Sequence, residues 1–140
     1  MIVVDTNVIS ELMKSDRHRA VEDWLDRQPG SGFYTASTSL AEIAFGVEKL
    51  PEGRRKTILR SIINEVFDRY FAGRILPFDE TAARAYGRIL AAARAKGRSI
   101  LMADGQIASI AQANDLTVAT RDTAPFEAAG IPVINPWDVP

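Results

Sequence analysis

Cysteine is absent from this chain of 140 residues, and histidine occurs once, at His18. Lack of thiols excludes disulfides, thiolate nucleophiles and cysteine-ligated zinc, and a single imidazole leaves too few ligands for an ordinary zinc site. No glycine-rich loop of the kind that cradles phosphates is present, and no apolar run is long enough to cross a bilayer. The start, Met1-Ile2-Val3-Val4 followed at once by Asp5, lacks the basic residues and sustained apolar stretch of a signal peptide. A cytoplasmic protein without membrane contact is therefore expected. An excess of positive charge is missing too: 17 Lys and Arg stand against 18 Asp and Glu, a net charge of −1. Nucleic-acid binding would have to use a local basic patch.

What is present suits one globular unit. With 46% hydrophobic and 25% charged residues, the chain can fill one core and is too short for two ordinary domains, so residues 1–140 are expected to form a single domain. Two basic clusters stand out, Arg54, Arg55, Lys56 and Arg60, then Arg88, Arg94, Lys96 and Arg98. A solvated helix face is the simpler account of either.

Apolar spacing predicts alternating strands and helices. Ile2–Val4 reads as a buried strand entering a helix through Val8, Ile9 and Leu12, and Val21, Trp24 and Leu25 mark a second helix. Gly32–Ala36 is a second strand. Leu40, Ile43, Ala44, Val47 and Leu50 follow helical spacing up to Pro51-Glu52-Gly53, and a long helix follows with Ile58, Ile62, Ile63, Val66 and Phe67 facing inward. Arg74–Pro77 is a third strand, after which Asp79 caps a helix that Gly97 closes. Ala103–Asn114 is helical, Leu116–Ala119 and Ile131–Ile134 are strands, and a short helix runs from Thr123 towards Gly130. Strands separated by helices predict an α/β fold with a parallel sheet covered on both faces.

Four acids fall where such a fold brings chemistry together. Asp5 and Asp122 follow strands, and ligand crevices in open α/β sheets form at the carboxyl ends of strands. Either could equally cap the helix after it. Thr6 and Asn7 can orient the Asp5 carboxylate, and Asn7 could reach a water on a bound metal. Glu42 sits in Ser39-Leu40-Ala41-Glu42, a capping-box pattern that would fold it back on the Ser39 amide; it also lies on the side of its helix shared by Gly46. Asp104 shares the apolar stripe of Ile107, Ala108 and Ala111, where an ionised carboxylate is costly unless it caps the helix, pairs with an arginine or binds a cation. Two unit charges about 4 Å apart repel by roughly 4 kcal/mol at a surface-like dielectric, so a shared site demands counter-charge. Oxygen ligands without sulfur or imidazole select magnesium, with manganese the alternative.

Several segments resemble one known pattern: Ile2-Val3-Val4-Asp5-Thr6-Asn7-Val8-Ile9-Ser10-Glu11, Ser39-Leu40-Ala41-Glu42, Ala103-Asp104-Gly105-Gln106-Ile107-Ala108 and Val118-Ala119-Thr120-Arg121-Asp122. Together, in this order, they look like a PIN-domain ribonuclease of the VapC toxin family. Gly73-Arg74-Ile75-Leu76-Pro77-Phe78-Asp79 and the closing Asn135-Pro136-Trp137 are similar to its FitB-like branch. The resemblance implies a three-layer α/β/α fold with strand order 3-2-1-4-5, and a magnesium site of Asp5, Glu42, Asp104 and Asp122, with Thr6 and Thr120 as hydroxyl partners. Many members of the family carry Asn at the place of Asp122 and an acid shortly before a phenylalanine; here Pro125 precedes Phe126. It further implies a homodimeric toxin of a type II toxin–antitoxin pair, with a VapB/FitA-like antitoxin that covers the acids and carries any DNA binding.

The expected activity is endonucleolytic hydrolysis of RNA, in which magnesium lowers the pKa of a water and neutralises charge on the phosphorane. Arg121 and the basic clusters are candidates for phosphate contacts. A receiver-like magnesium-binding regulator is the main alternative, but Asp-Thr-Asn replaces the acidic pair it needs after strand one, and Ile131-Pro132-Val133-Ile134 brings no lysine. Asn7 likewise argues against a phosphatase with an Asp-x-Asp pair. A non-catalytic binding module would leave RNA cleavage unchanged when Asp5 or Asp104 is replaced.

Overall fold

The computed structural model describes residues 1–30 and 32–140. β1 (Ile2–Val4), β2 (Phe33–Ala36), β3 (Ile75–Leu76), β4 (Thr117–Ala119) and β5 (Val133–Ile134) form one sheet in the order β3-β2-β1-β4-β5, with all pairings parallel. The expected strand order is thus borne out, and β1 and β4 lie side by side with Val4 opposite Ala119.

Side chains alternate across a strand, and neighbouring residues of β1 feed two different cores. Val3 packs with Ala82, Ala85, Ile89, Ile107 and Phe126, beneath α5 (Glu80–Ala95), α6 (Met102–Ala113) and α7 (Ala124–Ala128). Val4 packs with Val8, Trp24, Ile43, Ile63 and Phe67, beneath α1 (Thr6–Leu12), α2 (Arg19–Asp26), α3 (Ser37–Glu48) and α4 (Arg54–Tyr70). The result is the three-layer α/β/α arrangement expected. Among the described residues no helix is long and apolar enough to cross a membrane.

Local signals place the helix ends. Asp79 Oδ1 accepts the Ala82 amide at 3.0 Å and starts α5, while Gly97, at φ 75°, ends it in a left-handed turn that glycine adopts freely. Two expectations need correction. Ile58 is not inward-facing; it is 47% exposed, because the buried stripe of α4 runs through Lys56, Ile63, Val66 and Phe67 instead. Nor does Ser39 begin a helix. α3 follows β2 without a loop, starting at Ser37, so Ser39 lies buried inside it with its hydroxyl unpartnered.

The hairpin of α5 and α6 depends on one close approach. Gly105 lies so near α5 that a Cβ there would stand 2.9 Å from both Leu90 Cδ1 and Tyr86 Cε2. The tyrosine ring is itself held edge-on by Phe78, with centroids 5.8 Å apart. Gly105→Ala gains about 1 kcal/mol of helix propensity but overpacks a rigid contact, at a cost of about 1–3 kcal/mol. Chemical denaturation should show a net loss of stability; a variant more stable than wild type would mean that the ring yields freely.

Candidate acidic active site

Asp5 stands at the carboxyl end of β1, tied there from three directions. Its amide donates to Ala119 O on β4 at 2.9 Å, its Oδ1 accepts the Thr6 amide at 2.7 Å, and its Oδ2 accepts the Thr120 hydroxyl at 2.8 Å. The residue is 5% exposed. It therefore caps α1, one of the two roles weighed from sequence.

Thr120 is the hub of this end of the sheet. Its one hydrogen goes to Asp5, while its oxygen accepts Asn7 Nδ2 at 3.0 Å and the Asp122 amide at 3.1 Å, filling both lone pairs. Asn7 Oδ1 in turn accepts the Arg121 amide at 3.2 Å. Both ends of the Asn7 side chain are thus engaged in joining α1 to the β4 loop.

Glu42, one turn into α3, does not close a capping box. Its Oε1 accepts the Thr6 hydroxyl at 2.7 Å, which turns the exposed carboxylate towards Asp5. Beside it opens a hollow of about 510 Å³ lined in part by Ser10, Met13, Gly46 and Leu59. A Cβ on Gly46 would meet nothing within 4 Å, so the glycine leaves that wall open. Asp104 lies in the first turn of α6 and is half-buried; it neither caps the helix, whose N-cap is Leu101, nor forms a salt bridge. Gln106 Oε1 accepts the Thr38 hydroxyl at 2.9 Å and fixes the start of α6 against α3, a contact between residues 68 positions apart that no local pattern announces. Asp122 is exposed and leaves α7 uncapped by any side chain, so its capping role is not borne out.

The four acids form one electrostatic unit. Burial raises the Asp104 carboxyl to about 6, with repulsion from Asp5, Asp122 and Glu42 adding to it. Asp5 is raised mainly by burial, opposed by its hydrogen bonds from Thr120 and Thr6, and raised further by Glu42 and Asp122. Among the described residues no Lys or Arg pairs with any of the four, and no three of them close to the spacing that grips one bare ion. An all-oxygen donor set of this kind fits a hard divalent cation that keeps several of its waters and takes only one or two carboxylates directly.

Cations surround the site unequally. Arg60 forks onto Glu48 at 2.7 and 2.8 Å, and buried Lys56 bonds Glu52 at 2.6 Å, so part of the first basic cluster is neutralised rather than solvated. Arg121, next to Asp122, lays its guanidinium 5.2 Å from the centre of the Trp137 ring, a cation–π contact that holds it without an acidic partner among the described residues.

A family model described as PIN domain matches residues 2–131, and the chain belongs to the PIN-domain family. Within that family it is 47% identical over 138 residues, spanning 99% of either chain, to the VapC ribonuclease Y4jK of Sinorhizobium fredii. It is 43% identical over 137 residues to the toxin FitB of Neisseria gonorrhoeae, spanning 98% of this chain and 99% of that one. A solved structure of FitAB bound to an IR36 DNA fragment superposes with a TM-score of 0.91 at 41% identity, covering 100% of this chain and 98% of the other.

The raised Asp104 carboxyl makes a pH signature. A group more basic in the fold than in the unfolded chain stabilises while protonated, and that contribution is lost as pH rises from 3.8 through about 6. In metal-free protein, Asp104→Asn should therefore raise the melting temperature above pH 6 and have little effect below pH 4. Thermal scans across this range test it; an Asn variant less stable at pH 7.5 would contradict the repulsion.

Proposed function

We propose that this protein is a magnesium-dependent endoribonuclease and the toxin of a type II toxin–antitoxin pair, working in the cytoplasm as a homodimer. The observation that carries the chemistry is the Asp104 carboxyl, raised by burial first and by three other acids besides, with no Lys or Arg paired to any of the four among the described residues. Membership of the PIN family and the likeness to VapC ribonuclease Y4jK supply the reaction class.

Asp5 and Asp104 are the carboxylates that hold the cation, with Glu42 and Asp122 completing the negative field and orienting its waters. A bound magnesium lowers the pKa of water and balances charge on the pentavalent phosphorus. Thr120 and Thr6 keep Asp5 and Glu42 turned into the crevice by donating to them. Asn7 braces the β4 loop, and Arg121, which lies over the Trp137 ring without an acidic partner among the described residues, is the residue assigned a phosphate contact. Manganese, a similar hard ion, should substitute.

The likeness to FitB, solved as FitAB on DNA, supports a small antitoxin partner. Its tail would fill the hollow beside Glu42 and cover the acids, and DNA would be reached only through that partner. A regulator of the receiver class is disfavoured by Asn7, whose amide is spent on bracing where such a switch needs an acid, and by the lack of a lysine in β5.

Incubation of purified protein with total bacterial RNA, with and without magnesium, tests the activity. Cleavage should require the ion, stop with chelator, and leave 5′-phosphate and 3′-hydroxyl ends. Asp5→Asn and Asp104→Asn should each lower the rate by more than the roughly 10–100-fold that loss of an outer-shell partner costs. Products ending only in 2′,3′-cyclic phosphate, or cleavage undiminished in both variants, would refute the assignment.

A further inference from the structure

We infer that the open groove at the end of α5, lined by Leu90, Arg94, Arg98, Ser99 and Ile100, is the track on which single-stranded RNA lays its phosphates beside the acids. The inference rests on the nuclease function proposed above and assigns the path of its substrate.

Position is the first support. The groove has a volume of about 510 Å³, and its wall residue Leu90 is also the side chain against which Gly105 is seated. Gly105 directly follows Asp104. The groove wall is therefore in contact with the turn of α6 that carries Asp104, and the short connection from Gly97 to Leu101 runs from the groove into α6.

Charge is the second. No acidic residue occurs between Glu80 and Asp104, whereas Arg84, Arg88, Arg94, Lys96 and Arg98 all fall in that interval. Arg84 has Glu80 within 3.7 Å; the other four have no salt bridge among the described residues. The α4 cluster behaves differently, since Lys56 and Arg60 are consumed by Glu48 and Glu52. Cations near a helix end can serve simply to satisfy its last carbonyls. Here those carbonyls are already met by backbone, the amides of Lys96 and Arg98 reaching Ala93 O and that of Gly97 reaching Arg94 O. The Arg94 and Arg98 guanidinium groups, forks suited to bidentate phosphate contact, are left free for a ligand.

The lip between groove and acids is the third. Leu101 and Met102, which lie in the chain between Ile100 of the groove and Asp104, are 77% and 68% exposed, two adjacent apolar side chains open to a ligand. Flexible apolar groups of this kind accept a base face without demanding a sequence.

The test compares wild type, Arg94→Gln/Arg98→Gln and a control in exposed arginines at the two ends of α2, Arg19→Gln/Arg27→Gln. Binding of a fluorescein-labelled mixed-sequence RNA of about 12 nucleotides is followed by anisotropy in chelator from low to moderate salt, and single-turnover cleavage is measured in magnesium. For the groove variant we expect about tenfold weaker binding at low salt. Its log–log salt slope should be shallower by about 1.4, two phosphates at about 0.7 each for a single strand, with the rate at saturating RNA unchanged. The Arg19/Arg27 variant should match wild type. A groove variant that keeps the wild-type slope while wild type cuts RNA overturns the track and leaves the nuclease standing. Wild type that binds with the expected slope but never cuts leaves the track and removes the nuclease. Wild type that fails to bind the RNA, or a groove variant whose weaker binding accompanies a change in sedimentation, also overturns the track.

Discussion

Unbalanced negative charge at the carboxyl edge of the sheet is the constraint around which this molecule is organised. Pairing β1 with β4 in parallel brings Asp5 and the loop bearing Asp122 to one place, and α3 and α6 lean Glu42 and Asp104 over it. A folded chain does not ordinarily gather four carboxylates without cations, because each added charge raises the cost of ionising the next. Asp104 is pushed to about 6 by burial first, and the repulsion of the other three acids adds to it. The scaffold tolerates it because the acids hang from elements anchored in two separate cores, so relief by local rearrangement would disrupt packing on both faces of β1.

Support around the acids is specific. Thr120 uses its full hydrogen-bonding capacity on Asp5, Asn7 and the Asp122 amide, which makes the two strand ends a single unit. Gly105 lets α6 approach α5 closely enough to fix the turn that carries Asp104, and the Thr38–Gln106 bond fixes the same turn against α3. Positive charge is kept off the acids by being occupied elsewhere: Arg60 and Lys56 by glutamates of α3 and the loop that follows it, Arg121 by the Trp137 ring.

Much of this was legible in the sequence, for identifiable reasons. Strand runs such as Ile2–Val4, the Asp79 cap and the Gly97 stop are decided by residues within a turn of one another, and each fell where its local chemistry placed it. What failed depended on partners distant in the chain. Ser39 and Glu42 match a capping box, yet β2 hands directly into α3 two residues earlier, and Thr6 from another element claims the glutamate. Ile58 belongs by spacing to an apolar face, but α4 turns its Lys56 side inward, where Glu52 and Glu48 satisfy the ammonium. The bracing of Asn7 on Thr120 spans 113 positions and leaves no trace in local spacing.

The central proposal, that these carboxylates share a hard divalent ion, is tested most directly by calorimetric titration of manganese into the protein at pH 6. Repeating it in buffers of different ionisation enthalpy counts protons. Because part of Asp104 is protonated there and only the carboxylate binds metal, binding should release protons, and Asp104→Asn should both weaken binding and lower the number released. Absence of binding, or binding with the same proton count in both proteins, would contradict the account.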